Sequence, residues 1–289
     1  KYHIFCYFFS VSSFLFSLLT LYIHIRKKLM KRYEPKTRYK VSSNQELLLL
    51  YMLKYRFVSS DLIADIIGKD RSTIYERLSV LVDQGYVVKL YDKTYRFRQR
   101  PVIYYLAPLG IRYLKLHGYE RTQLHYKNKD YTDDQIDEQM LLTSLVRTIA
   151  KQYEGKLNSY TKYFQRSHDF CLMPPPYAKL VGKTDSIPDY FMEYFPAYHQ
   201  SWKIRKRVNQ HYDYADEHGD VTHPHLLLVC GNNSTEKRVV RLTANMLPDF
   251  EIFTTTTERL LTGDKKVWLK PYEVDWDDPL TFHSLPLKF

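Results

Sequence analysis

Apolar positions recur at helical spacing in four runs between residues 43 and 118, each bounded by turn or capping residues. Ser43-x-x-Glu46 has the pattern of a capping box, and Leu47 to Leu53 then predicts a helix apolar on more than one face, as a buried first helix would be. Ser59 or Ser60 opens a short second helix with Leu62, Ile63, Ile66 and Ile67 in register, and Gly68 stops it. Asp70 or Ser72 caps a third, with an inner stripe of Ile74, Leu78, Leu81 and Val82 and a stop at Gly85. Strand-like runs follow at Tyr86–Tyr91 and Val102–Leu106, and Pro108 begins a fourth helix carrying Ile111, Tyr113, Leu114 and Leu116 that ends near Gly118.

Helix three keeps Arg71, Ser72, Thr73, Tyr75, Glu76 and Ser79 on its other face. These side chains can meet phosphates and base edges, and two short helices joined by a tight turn with the second polar outward make a helix-turn-helix. A small helical bundle would share that much of the pattern. The paired strands add a wing: DKTYRFRQRP joins them, with Lys93, Arg96, Arg98 and Arg100 against Asp92 alone, interleaved with Tyr95 and Phe97. Such a tip can grip phosphates or enter a minor groove, where a purely solvated loop has no need of so many cations. Residues 41–118 therefore read as a winged-helix domain that binds double-stranded DNA.

Charge supports this division. The chain has 289 residues and a net charge of +11, and residues 31–130 alone carry +10, whereas residues 131–289 carry −3. A polyanionic partner for the basic stretch is the first expectation. Three well-separated cysteines, with no CxxC, speak against a disulfide scaffold or a cysteine zinc site, and nine glycines with no GxGxxG or Walker A speak against a dinucleotide- or nucleotide-binding enzyme. His211, His223 and His225 share no metal-ligand spacing, and Cys230 sits in an apolar run as a structural thiol would.

Ile4 to Ile25 is apolar, free of Asp, Glu, Lys and Arg, and long enough to cross a bilayer, with Arg26, Lys27, Lys28, Lys31 and Arg32 behind it. Residues 1–29 are read either as a membrane anchor or as translated non-coding sequence ahead of a start at Met30, and the second is preferred. Both readings place residues 30–289 in the cytoplasm, membrane-associated if the anchor is real.

No Pro- or Gly-rich linker follows the fourth helix, and the polar run Arg121–Asp130 marks the division. Thr132-x-x-Gln135 caps a helix with Ile136, Met140, Leu145, Val146 and Ile149 in its stripe. Strands are predicted at Tyr160–Phe164, Ile187–Phe195, His225–Cys230, Phe250–Thr255 and Lys266–Leu269, with helices over Gln200–Tyr214 and Ser234–Leu247. Alternation of this kind predicts an α/β domain over residues 130–289.

The run LLLLYMLKYRFVSSDLIADIIGKDRSTIYERLSVLVDQGYVVKL, followed by YYLAPLGIRYL, resembles the opening domain of the replication-relaxation family of bacterial plasmids and mobile elements. The resemblance covers about residues 44–118. It implies a part in plasmid or mobile-element replication or mobilisation, with replication or mobilisation proteins as partners and a homodimer as a possible assembly. It also implies a restriction-endonuclease-like α/β domain. In such folds an Asp after a Pro, then Glu-x-Lys on a neighbouring strand, hold Mg²⁺ and activate water. Pro188-Asp189 matches the first element, Glu193 is on the same predicted strand, and no Glu-x-Lys follows; Lys203 and Lys206 are nearby on a predicted helix. With Asp189, Glu193 and Lys203 as the only catalytic candidates, the expectation is an interaction domain, more a binding protein than an enzyme, needing no cofactor. The rivals are a Mg²⁺-dependent DNA endonuclease and a membrane-anchored DNA-binding transcriptional regulator.

Overall fold

The computed structural model describes residues 41–97, 99–119, 121–153, 156–161, 164, 177–184, 187–217, 223–246, 248–275 and 280–285. The apolar segment at 4–25, Met30 and Arg98 lie outside the described residues. Among those described, no helix is long and apolar enough to cross a membrane. Residues 42–289 form one compact unit of mixed helices and strands.

Its first part runs α1 (Ser43–Tyr55), β1 (Val58–Ser59), α2 (Ser60–Ile67), α3 (Arg71–Asp83), β2 (Val87–Leu90), α4 (Lys93–Phe97), β3 (Ile103–Leu106) and α5 (Pro108–Leu116). The box that starts α1 is one residue earlier than the sequence suggested. Ser42 is the extended N-cap, its hydroxyl accepts from the Gln45 amide, and the Gln45 side chain returns to the Ser42 amide. Glutamine makes this reciprocal pair as well as glutamate does. Ser59 and Asp70 are the caps of α2 and α3, and Gly68 closes α2 with a left-handed φ of 68°. Leu48, Leu49, Met52, Ile63, Ile74, Leu78, Leu81, Ile111 and Leu114 are buried, as their spacing demands. Strands β2 and β3 are the expected antiparallel pair, with Val87 opposite Leu106, and β1 pairs the far edge of β3.

The polar run that marks the division is itself structured. Thr122–Asp130 is a 3₁₀ helix whose Thr122, His125 and Asn128 are buried. Arg56, at the C-cap of α1, donates from Nε to Asn128 Oδ1 at 2.6 Å, from Nη1 to the Tyr131 hydroxyl at 2.6 Å and from Nη2 to the Leu124 carbonyl at 3.0 Å.

The second part runs α6 (Asp133–Gln152), β4 (Leu157–Thr161), β5 (Ala178–Gly182), β6 (Tyr190–Phe195), α7 (Ser201–Glu217), β7 (His225–Cys230), α8 (Asn233–Thr243), β8 (Ile252–Thr256) and α9 (Thr257–Leu261). The sheet order is β4-β5-β6-β7-β8; the first two pairings are antiparallel and the last two parallel. Its side chains alternate between two cores. Tyr190, Met192, Leu227, Val229 and Phe253 pack with Leu145, Ile149 and Trp268. On the other face Phe191, Phe195, Leu226 and Leu228 pack with Ile204, Val208 and Val239. Burial on both faces is why HLLLVC reads as an unbroken apolar run.

Two sequence expectations need correction here, and one strand is additional. The strand predicted at Tyr160–Phe164 lies at Leu157–Thr161, with Phe164 bridging back to Thr161. Lys266–Leu269 is not a strand: Leu269 bridges Thr254 and Trp268 bridges His283, with Pro271 close behind, which has no N–H to extend the pairing. Strand β5 was not foreseen, because Ala-Lys-Leu-Val-Gly is short and carries no clear alternation.

Contacts of several kinds hold the two parts together. Lys54 Nζ meets Ser159 Oγ at 2.9 Å, and Thr161 Oγ1 bonds the Lys54 carbonyl. Arg147 and Lys151 of α6 both reach Asp65 of α2, at 3.2 and 2.6 Å. Phe57, Ile103, Tyr105 and Ile136 form a shared apolar cluster.

Candidate nucleic-acid interface

Helix α3 buries Ile74, Leu78 and Leu81, so helical geometry turns Arg71, Ser72, Tyr75 and Glu76 outward, where all four are exposed; Thr73 is half-buried. At the N-terminus, Asp70 accepts from the Ser72 amide at 3.0 Å and from the Ser72 hydroxyl, which hold its carboxyl below the usual range. Ser72 is therefore part of the cap, and what it presents outward is its remaining lone pairs. Arg71 Nε rests on Asp61 Oδ1 at 2.7 Å, with side chains 70% and 49% exposed. A pair this exposed contributes little and opens readily to a phosphate or a guanine. Tyr75 is 42% exposed. Ser79, placed on this face by the sequence, donates instead to the Tyr75 carbonyl at 2.9 Å.

Lys89 is a member of this surface that the sequence reading passed over. It is exposed on β2, its Nζ lies 3.4 Å from the Tyr75 hydroxyl and 5.4 Å from that ring, and it thereby joins the hairpin to the outer face of α3. Its signal was available: it is the one charged position in the apolar run YVVKLY.

The connection between β2 and β3 is not a bare hairpin tip. Asp92 accepts from the Thr94 amide at 3.2 Å and starts the five-residue helix α4. Lys93, Arg96 and Phe97 are exposed, Phe97 at 87%, while Tyr95 turns inward against Tyr91. Arg100 departs from expectation. Its side chain is 8% exposed, it pairs with Asp133 at 2.8 Å and Asp137 at 2.5 Å on α6, and its guanidinium lies 4.9 Å from the Tyr95 ring. The two carboxylates hold its proton more tightly than usual despite burial. Arg100 fixes the base of the wing to α6, where no phosphate can reach its donors. The cause is the N-terminal end of α6, where Asp133 in the first turn, which complements the helix dipole, and Asp137 one turn on capture the nearest arginine.

The catalytic candidates do not converge. Asp189 precedes β6, accepts from the Gly182 amide at 3.1 Å and faces Lys179 at 3.3 Å. It holds the β5–β6 connection, where Gly182 is so close to Ile187 that a Cβ would lie 2.2 Å from the Ile187 carbonyl oxygen. Glu193 is buried, and one oxygen, Oε1, takes Arg207 Nε at 2.8 Å, Arg207 Nη2 at 2.6 Å and His211 Nε2 at 2.7 Å. Four residues of extended chain set the Asp189 and Glu193 Cα atoms about 13 Å apart, more than the two side chains can close, and their partners draw the carboxylates to different elements, Asp189 to β5 and Glu193 to α7. Magnesium needs its ligands at about 2.0–2.1 Å, so one ion cannot take both. The residues present do not fit the metal that the endonuclease resemblance implies. Among the described residues no group of three His, Cys, Asp or Glu side chains could hold a metal ion. Lys203 is exposed beside Trp202 and lines the same hollow as Glu193, away from Asp189.

Other titrating groups are structural. Cys230 is a free buried thiol whose pKa burial pushes up, which keeps it unreactive. His223 is pushed down to about 4 by burial and by its neighbours His211 and His225.

No family model matches the chain, and no curated protein does. Among solved structures it is similar to those of Lactococcus lactis ZitR. An apo form matches at 16% identity over 47% of this chain and 97% of that one, with a TM-score of 0.24. A ZitR variant in complex with DNA matches at 17% identity with the same coverage and score. At that score the likeness decides neither fold nor function.

Proposed function

We propose that this chain is a double-stranded DNA-binding protein that reads sequence with α3 and grips the backbone with the β2–β3 connection. The observation that carries this reading is the Lys89–Tyr75 contact, which sets the basic hairpin beside the exposed polar ridge of α3. Three helices, a two-stranded wing and a trailing helix are the winged-helix layout, in which the helix after the turn enters the major groove. Lys89, Lys93 and Arg96 would neutralise phosphates, Arg71 would meet a guanine or phosphate, and Glu76 can accept from a cytosine amine.

The order α6, three strands, α7, β7, α8, β8 around a mixed sheet supports a restriction-endonuclease-like domain used for interaction. The resemblance to replication-relaxation proteins extends the reading to plasmid or mobile-element replication or mobilisation.

Selection of bound sequences from random duplexes, followed by titration of variants, tests it. Arg71→Ala should weaken the selected site by about 1–3 kcal/mol and relax one base preference. Lys93→Glu with Arg96→Glu should weaken all duplexes alike and lower the slope of log K against log salt by about 0.9 per lost phosphate contact. Arg100→Ala should leave the slope as it is. Unchanged affinity and preference in the first variant, with an unchanged slope in the second, would remove this surface from DNA.

A second expectation follows from the separated carboxylates. The purified protein should leave plasmid DNA uncut in Mg²⁺ or Mn²⁺. Cleavage that requires metal and vanishes in Asp189→Ala would make the chain a nuclease and overturn the geometric argument.

A further inference from the structure

A second basic surface lies on the α/β part, at the N-terminal end of α7. There a hollow of about 300 Å³ is lined by Glu193, His199, Trp202, Lys203, Lys206 and Arg207, among others. Its floor is electrically settled, because Glu193 is held by Arg207 and His211. Its rim is not: Lys203 and Lys206 are exposed and make no ion pair with any described residue. Two open aromatic rings border the hollow: Trp202 lines it, and Tyr198 stands at its edge, 5.8 Å ring to ring from the lining His199. Trp202 is 60% exposed, with Lys203 Nζ 5.6 Å from its ring, and Tyr198 is 75% exposed. Large aromatics this open serve no core, and each retains a free face. The first turn of a 17-residue helix adds the positive end of its dipole to the same spot. Besides Glu193, Glu138 of α6 borders the surface and acts on Tyr194 and Tyr198. Glu138 is next in sequence to Asp137, the residue that anchors Arg100 at the base of the wing.

We propose that this hollow is a second nucleic-acid site, specific for an unpaired strand, with phosphates on Lys203 and Lys206 and bases stacked on Trp202 and Tyr198. A duplex hides its base faces in the stack, so open aromatic rings beside cations favour a single strand over a double one. The site does not depend on α3 reading duplex DNA.

The test titrates the full chain with labelled oligothymidylate and oligouridylate, reading anisotropy and tryptophan fluorescence, with polyglutamate as a competitor. Both strands offer the same phosphates and bases with similar faces, so binding to either supports the site, and the ratio reports whether a 2′-hydroxyl is read. Lys203→Ala with Lys206→Ala should weaken the single strand about tenfold and lower its salt slope by about 1.4. Trp202→Ala should weaken it by about tenfold through lost stacking. Lys203→Arg with Lys206→Arg should retain binding, and Arg71→Ala should leave it at the wild-type level, which separates this site from the duplex reading. The chain has three tryptophans, Trp202, Trp268 and Trp276, so the assignment comes from the variant: a strand-induced quench that disappears in Trp202→Phe reports stacking at Trp202. No binding by the wild type would overturn the proposal, as would affinity that survives the lysine and tryptophan changes. Polyglutamate competing as well as the strands would reduce the surface to a simple cation exchanger and also overturn it.

Discussion

Replacing Arg56 by methionine should destabilise the protein by about 2–4 kcal/mol, because buried neutral acceptors lose a charged donor. The guanidinium is 4% exposed and serves Asn128, Tyr131 and the Leu124 carbonyl, with its plane 4.1 Å from the Tyr131 ring. Methionine fills much of the space and leaves those acceptors buried without their donor. Arg56 also has a φ of 71°, a left-handed conformation that favours glycine. An arginine at such a position shows that the contacts it makes outweigh the strain. In a chain of this size the change should lower the melting temperature by roughly 5 °C. The control is Lys127→Met, one position from Asn128 and exposed, which should shift it little. A loss under about 1 kcal/mol for Arg56→Met would mean that the junction with the 3₁₀ helix does not bear on stability.

The second large effect should come from acid. His125 lies in the same junction, 1% exposed, beside Arg56 and within 3.4 Å of Asn128 Nδ2. Burial first, and the Arg56 charge second, push its pKa down to about 3. The unfolded chain therefore takes up a proton below about pH 6.5 that the folded chain refuses, and stability falls with pH at about 1.4 kcal/mol per unit from there down to about pH 3. Between pH 7 and pH 5 the loss from this one group is about 2 kcal/mol. His223 acts in the same direction, more weakly because it is partly exposed. Glu236 acts in the opposite one: burial raises its carboxyl, which then protonates first in the folded state. Urea unfolding at the two pH values, for wild type and His125→Gln, isolates the histidine. The variant should lack about 2 kcal/mol of the wild-type difference. An identical pH dependence in both would show that His125 is not held neutral.

Both predictions concern the 3₁₀ helix at 122–130, the segment that was hardest to read from the sequence. TQLHYKNKD is polar, lacks an apolar stripe and looks like a surface link. Its burial depends on Arg56, some seventy residues earlier, and no local pattern announces that partner. Arg100 misled for a related reason. In sequence it is one cation in a basic run, and only α6 decides that Asp133 and Asp137 take it out of solvent. Asp189 and Glu193 fall on one predicted strand, but the hydrogen bonds and ion pairs that occupy each of them come from β5 and α7.

What the sequence determined by itself is what local physics dictates. Helical and strand periods marked α1, α2, α3, α5, α6 and β7, because burying one face of a regular element requires that spacing whatever the partner. Caps and stops at Ser59, Asp70, Thr132 and Gly68 were legible because a helix end must satisfy its own amides and carbonyls within a few residues. The outward polar face of α3 followed from its inner stripe. The tertiary structure alone decided how the sheet is ordered, which cations are consumed by carboxylates and which remain available, and that Lys89 stands beside Tyr75. These are long-range pairings, set by which faces meet when the chain closes, and a side chain's charge does not reveal whether its partner will be a neighbouring helix or a nucleic acid.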